Sequence, residues 1–312
     1  MIKFLRNLPA IAALLLATPA LAVPAGENDP SRLIDGDTQP AVWLLEDDDT
    51  RIWLFGTNHI LPADYRWRSA ELDAIIADAD ELVLEVADDS EAYLKPERFL
   101  RLMTADQPSP ILQRISPEYR NNLRAIIKYS ELTIDVLDTL ETWAVAFVLM
   151  SMSYEQYYGV PGVDGSIDVT GVEEILTERF EAQDKPVSGV ETTMGQLNFF
   201  RNLSEDGQRR FLEGMVANGP EDDVSDEDAI LANWRIGNVA ALDGECDDPE
   251  NFPEEVHNVL LTMRNANWTD WLIERLDEPG DVLFAVGACH LAGRERVQAM
   301  LEQRGFTARR VH

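Results

Sequence analysis

Two short phrases with the same pattern place a histidine after a glycine near each end of the folded region. The first is Gly56-Thr57-Asn58-His59 and the second is Gly287-Ala288-Cys289-His290, and an apolar run precedes each. His59 and His290 are two of only four histidines in the 312 residues. A single Gly-x-x-His is a weak signal. Two copies in the same context favour one shared functional site. The glycine in each copy would let the backbone approach a ligand closely.

Two glutamates accompany further predicted strands. Glu85 lies in the apolar run 81–86, and Glu191 directly follows a predicted strand at 185–190. Residues at strand ends in an α/β sheet converge on a common crevice. We therefore expect both carboxylates to face the two imidazoles.

Imidazole and carboxylate together suit two kinds of chemistry. They bind first-row divalent cations and leave positions open for water, whose pKa the metal lowers. The sequence thus predicts Mn²⁺, Co²⁺ or Zn²⁺ held by His59, His290 and Glu85. Without a metal, the same groups could perform general acid–base catalysis.

Each candidate also has a structural interpretation. Glu85 could lie in solvent on an edge strand, and Glu191 could be a helix N-terminal residue that the helix dipole stabilises. Asp164, in Gly162-Val163-Asp164, could cap a loop. Arg264 could pair with a carboxylate or a substrate anion, or it could be an ordinary surface arginine. His257 is predicted on a helix surface, without a functional role.

The alternation of strands and helices indicates an α/β (α+β) fold. We predict a central mixed β-sheet with a site at its strand ends, and a helical lobe inserted at about 98–240. An acidic turn at 46–49 between two apolar runs predicts a hairpin that delivers His59. Other strands are expected at 81–86, 185–190, 282–286 and 306–311.

The N-terminus is predicted to be a targeting segment. Residues 1–22 combine a basic start, a short apolar run and Ala20-Leu21-Ala22, which is typical of a secretory signal peptide cleaved after Ala22. Residues 23–40 are expected to be a flexible lead-in, and 41–312 a single domain. This predicts an exported, periplasmic protein without stable membrane insertion after cleavage.

Net charge and cysteines bound the partners further. The formal net charge is −31, which disfavours nucleic acid as a partner and mainly promotes solubility. Cys246 and Cys289 are the only cysteines. We rank a buried thiol first for Cys289, a disulfide second and a metal neighbour third.

These features resemble the TraB/GumN family, which is distantly related to the Tiki proteins. The resemblance covers about residues 38–312 in the right order. It is carried by Trp53 to His59, Leu82 to Glu85, Gly162-Val163-Asp164, Lys185 to Thr192, Arg264-Asn265-x-x-Trp268, and Val286 to Gly293. Cys289 departs from the small residue expected there.

The resemblance implies a function. The Tiki relatives are described as metal-dependent proteases with paired Gly-x-x-His motifs and a glutamate, so His59, His290 and Glu85 would take those roles. Glu191, Arg264 and Asp164 are the further catalytic candidates.

The expectation is a periplasmic metal-dependent hydrolase acting on peptide bonds, with a peptide or small molecule as substrate. The alternatives are a metal-free His/Glu hydrolase of the erythromycin-esterase type and a non-catalytic ligand-binding module.

Overall fold

A computed structural model describes residues 38–87, 96–106, 108–128, 132–158, 169–217, 225–249 and 253–312. The predicted signal peptide lies outside these ranges, as do most of the predicted lead-in and Asp164. Within the described ranges, no helix has the length and apolar character that crossing a membrane requires.

A six-stranded mixed sheet forms the centre of the molecule, in the order β6-β4-β7-β2-β1-β8. β7 runs parallel to both β2 and β4, and β4 runs parallel to β6, whereas β1 is antiparallel to β2 and β8. β3 and β5 form a separate pair. The predicted α/β fold with a mixed sheet is therefore confirmed. The strands are β1 (Val42–Glu46), β2 (Thr50–Thr57), β3 (Leu61–Pro62), β4 (Glu81–Val86), β5 (Val169–Thr170), β6 (Val187–Glu191), β7 (Gly280–Gly287) and β8 (Arg309–Arg310).

The predicted hairpin is present and its turn explains why it forms. The Asp47 carboxylate accepts hydrogen bonds from the backbone N–H groups of Asp49, at 3.2 Å, and Thr50, at 2.9 Å. An aspartate that bonds its own backbone two residues on is a turn-forming device. The turn therefore aligns β1 with β2, which leads into the first histidine phrase.

Helices cover both faces of the sheet and build the middle of the chain. They are α1 (Ala70–Asp78), α2 (Pro96–Met103), α3 (Ile111–Arg114), α4 (Arg120–Lys128), α5 (Ile134–Leu137), α6 (Thr142–Tyr158), α7 (Val172–Glu181), α8 (Thr193–Arg201), α9 (Glu205–Ala217), α10 (Ser225–Arg235), α11 (Val239–Cys246), α12 (Glu254–His257), α13 (Met263–Arg275) and α14 (Val297–Gln303). A π-helical turn, Asn258–Thr262, joins α12 to α13.

The C-terminal elements complete the fold. α12, the π-helical turn and α13 form one continuous helical run over 254–275. α14 begins at Val297, after a turn in which Gly293 has a φ of 76°. The last strand is reduced to Arg309–Arg310, because only these residues pair with β1.

Apolar side chains alternate between two clusters along the strands. Leu283 and Ala285 of β7 point into one cluster, whereas Val282, Phe284 and Val286 point into another. This two-residue period places the clusters on opposite faces of the sheet. A third cluster lies among α2 to α6, α8, α9, α12 and the π-helical turn. β6 lies inside the range 98–240 but belongs to the central sheet.

Candidate functional site

The parallel strands end at the same edge of the sheet, and this edge gathers the predicted residues. His59 lies two residues after β2, and His290 closes a 3₁₀ turn, Ala288–His290, directly after β7. Glu85 lies near the end of β4, and Glu191 is the last residue of β6. Since β4 is flanked by β6 and β7, the edge-strand interpretation of Glu85 is wrong, and its side chain is buried.

Arg264 links the two glutamates. Its Nη2 donates to Glu85 Oε2 at 2.6 Å and to Glu191 Oε2 at 2.8 Å, and its Nε donates to Glu191 Oε1 at 2.9 Å. Its Nη1 donates to the Leu260 carbonyl at 3.1 Å. The residue is 1% exposed, so the surface interpretation is wrong. Charge-assisted, forked contacts of this kind fix both carboxylates in place.

The π-helical turn explains how a long helix presents this arginine. It lies immediately before α13, and Arg264 is the second residue of that helix. Single π turns inside helices occur frequently at functional sites. Trp268, one turn further on, donates its indole N–H to Glu191 Oε1 at 3.0 Å.

His290 is held by both ring nitrogens. Its Nδ1–H donates to Asn265 Oδ1 at 2.5 Å, and Arg264 Nη1 donates to its Nε2 at 3.2 Å. The side chain is fully buried. Burial first, and then the positive charges of Arg264 and His59, place the pKa of His290 well below its ordinary value. His290 is therefore neutral, and its Nε2 lone pair is used by the guanidinium.

His59 has a different environment. Its Nδ1 lies 2.8 Å from Glu173 Oε1, and the Thr57 hydroxyl donates to the same oxygen. The His59–Glu173 contact is close enough for an ion pair, although its angle is poor for a directional hydrogen bond. Burial alone would lower the pKa of His59, but the charge of Glu173, and more weakly that of Glu85, raises it to about 9. At neutral pH the ring is therefore an imidazolium.

The other ring nitrogen of His59 faces the middle of the site. Nε2 is buried and has no hydrogen-bond partner among the residues that the structure describes. A methyl group placed on Gly287 would lie 3.3 Å from this nitrogen, 3.1 Å from Glu85 Oε1 and 3.7 Å from His290 Cδ2. Three side chains thus border the side of Gly287 that carries no Cβ, here called the space beside Gly287, and an alanine there would be crowded against them.

Glu85 is oriented toward this space by the strand next to it. The backbone N–H of Gly287 donates to Glu85 Oε1 at 2.7 Å, while Oε2 is turned toward Arg264. Gln196 of α8 donates to Glu85 Oε2 at 3.2 Å and to Glu191 Oε2 at 3.0 Å. Oε1 therefore keeps one lone pair for a further ligand.

A disulfide bond connects Cys246 with Cys289, and their Cα atoms are 5.3 Å apart. Our ranking of a buried thiol above a disulfide was wrong. The bond joins the end of α11 to the turn that carries His290. The Asp243 and Asp247 carboxylates of the same segment accept the backbone N–H groups of Gly293 and Arg294, at 2.7 and 2.9 Å. These contacts bring the two cysteines together.

The three predicted metal ligands do not fit a shared ion in this arrangement. The Nε2 of His290 is occupied by Arg264 Nη1, and a metal bound there, roughly 2 Å from the nitrogen, would lie against the buried guanidinium. Across the described ranges, no group of three or more His, Cys, Asp or Glu side chains could hold a metal. Among the described residues, His59 Nε2 and Glu85 Oε1 remain as ligand atoms beside Gly287, and His59 would have to lose a proton before it could bind a metal.

Sequence reasoning did not identify several residues of the site. Asn265 and Trp268 were visible only as parts of the phrase that begins with Arg264. The one sequence signal for Glu173 is its place in the first turn of a helix after Gly171. Nothing in the sequence marks Gln196.

The predicted surface position of His257 is wrong. This residue is buried, and its ring nitrogens lie 3.4 Å from Asp247 Oδ1 and 3.5 Å from Glu295 Oε2.

Comparison with known proteins gives one match. Residues 41–310 match the family described as TraB/PrgY/gumN, which covers nearly the whole chain. Neither the curated proteins nor the solved structures gave a match.

Proposed function

This chain belongs to the TraB/PrgY/gumN family, and we propose that it is a hydrolase in which Glu85 and His59 handle the protons of one attacking water. The observation that carries the proposal is the approach of Glu85 Oε1 and His59 Nε2 to the same side of Gly287. A methyl group built on that glycine would lie 3.1 Å from the carboxylate oxygen and 3.3 Å from the imidazole nitrogen, which has no partner among the described residues.

The two groups divide the acid–base work by charge. Glu85 Oε1 accepts a proton from water while the water oxygen bonds to the substrate carbonyl carbon. The His59 imidazolium donates its Nε2 proton to the leaving nitrogen as the carbon–nitrogen bond breaks. Solvent then returns the proton from Glu85 to His59. A positioned acid and base of this kind contribute about 10²- to 10⁴-fold in rate.

The surrounding groups hold Glu85 ready for this step. Arg264 and the Gly287 N–H fix its orientation through one hydrogen bond to each of its oxygens. Neutral His290 separates the guanidinium from the reaction space without adding charge. Glu191 accepts hydrogen bonds from Nε and Nη2 of the same guanidinium. Trp268 and Gln196 donate further hydrogen bonds to the Glu191 carboxylate.

The substrate and location rest on the sequence. Resemblance to the Tiki proteins favours a peptide bond as the target. The leader at 1–22 favours export to the periplasm, where the Cys246–Cys289 disulfide would persist.

A metal-dependent hydrolase is the second candidate, and the unpartnered Nε2 of His59 beside Glu85 favours it. Mn²⁺, Co²⁺ or Zn²⁺ bound there would supply an acidified water. His290 could join the set only if Arg264 Nη1 left its Nε2.

The test combines purified protein with fluorescein-labelled casein. We expect turnover that survives EDTA and falls by about 100-fold or more in Glu85→Gln and in His59→Gln. Glu174→Gln, an exposed neighbour in sequence of Glu173, is the matched control and should keep full activity.

Other outcomes reject this mechanism. Loss of turnover with EDTA and recovery with one of the three metals would establish the second candidate. Tight binding of peptides without turnover in the wild type would establish a binding module.

A further inference from the structure

Glu173 is the carboxylate closest to His59, and it reaches the site from an element outside the central sheet. It lies in the first turn of α7. Its Oε1 is 2.8 Å from His59 Nδ1 and also accepts the Thr57 hydroxyl. One oxygen therefore contacts both the last residue of β2 and the histidine that follows.

The backbone makes the same connection. The Val172 N–H at the start of α7 donates to the Asn58 carbonyl at 3.0 Å. A methyl group on Gly171 would lie only 2.8 Å from the His59 carbonyl oxygen, so glycine permits this approach. The start of α7 is thus packed directly against the loop that carries His59. β5 precedes α7 and pairs with β3, which follows His59.

The ion pair favours one orientation of the ring. Nδ1 lies on the Glu173 side, and Nε2 lies on the side of Gly287 and Glu85. A histidine engaged by a carboxylate through one nitrogen has its ring orientation fixed and its other nitrogen presented to the ligand. Without this carboxylate, rotation of the ring would no longer be opposed.

We propose that Glu173 is the positioning residue of the site: its ion pair with His59 Nδ1 holds the imidazole so that Nε2 faces the space beside Gly287. Glu173 does not touch that space and acts only through His59. The inference rests on the proposed function for its catalytic meaning, but the contact itself can be measured without a substrate.

The experiment uses the full chain with ¹⁵N-labelled histidine rings, compared as wild type, Glu173→Gln and Glu174→Gln. The chain has four histidines, so a His59→Gln sample assigns the His59 signals. We expect Glu173→Gln to shift the His59 ring nitrogens and leave those of His290 in place. Glu174→Gln, whose carboxylate contacts Thr170 instead, should match the wild type.

Turnover of fluorescein-labelled casein provides the second measurement. Glu173→Gln should lower kcat by about 10- to 100-fold with KM nearly unchanged, as is usual for a residue that orients an active group. Glu173→Asp, which keeps the charge, should recover part of the loss. Thr57→Val removes the other partner of the same oxygen and should shift the His59 signals in the same direction by less.

Two results would overturn the inference. Ring signals in Glu173→Gln that equal those of Glu174→Gln would show that Glu173 does not hold His59. Shifted signals with unchanged kcat would show that the contact between Glu173 and His59 has no catalytic consequence. Absence of casein turnover in the wild type would count against the proposed hydrolase, whereas the ring signals would still decide the contact.

Discussion

The two Gly-x-x-His phrases look alike in sequence but build opposite environments. His59 has a carboxylate at one nitrogen, an open nitrogen at the other, and a pKa raised to about 9. His290 has an amide oxygen at one nitrogen, a guanidinium at the other, and a pKa lowered well below its ordinary value. The repeated phrase therefore places each histidine at the end of a strand, while residues from the neighbouring helices determine the charge of its ring.

The source of each neighbour explains the difference. Glu173 comes from α7, on the side of the sheet that also packs α1. Arg264 and Asn265 come from α13, which packs on the opposite face. One histidine is thus suited to donate a proton, and the other is suited to hold the arginine.

The largest expected effect comes from removing the arginine that sets this asymmetry. Arg264→Met should destabilise the protein by about 3–5 kcal/mol, because it leaves Glu85 and Glu191 buried without a counter-charge. Urea unfolding measures the loss. Arg309→Ala removes an exposed pair with Glu46 and should cost about 0–1 kcal/mol. A loss below about 1 kcal/mol for Arg264→Met would mean that the carboxylates are hydrated.

Exchanging the histidines one at a time should show that only one of them handles protons. His59→Gln should remove turnover, and at neutral pH it should also cost up to about 3 kcal/mol, because it removes the ion pair with Glu173. His290→Gln should cost about 1–3 kcal/mol, because it disturbs the buried Asn265 and Arg264 contacts. Both quantities are measured on the same preparations. Equal effects of the two variants on both quantities would contradict the asymmetry.

Stability should also depend on pH, with opposite sign at the two rings. His59 has a folded pKa of about 9 against an ordinary 6.5, so its stabilisation is complete below pH 6.5 and is lost as pH rises through 9. The full difference is at most about 3 kcal/mol. His290 has a lowered pKa, so its contribution is present above pH 6.5 and is lost as pH falls.

Unfolding of the wild type, His59→Gln and His290→Gln at several pH values measures these contributions by difference. The gap between wild type and His59→Gln should narrow from pH 6.5 to 9. The gap for His290→Gln should narrow as pH falls below 6.5. A gap that is independent of pH for His59→Gln would refute the ion pair with Glu173.

The sequence was sufficient for the sheet and for the four residues at its edge. Apolar runs, the acidic hairpin turn and polar residues at strand ends depend on short-range patterning, and parallel strands then bring those ends together. This is why His59, Glu85, Glu191 and His290 could be named as one set.

The same patterning could not predict which side chains of the site contact one another. Whether Arg264 would reach Glu85, or block His290 Nε2, depends on a π-helical turn that leaves no sequence signal. Glu173 and Gln196 sit on helices whose polar residues mostly face water, so nothing singled them out. The disulfide needed a distance between two segments 43 residues apart. Tertiary packing decided these contacts.

The pairing of β2 with β7 also sets the order in which this chain can fold. These neighbours in the middle of the sheet are residues 50–57 and 280–287, so β2 must wait for almost the entire chain to be made. At about 5–20 residues per second, the wait is roughly ten to forty seconds. During it, the apolar edges of β2 and β4 have no β7 to cover them. A newly made chain therefore cannot complete the centre of its sheet until its C-terminal strand arrives.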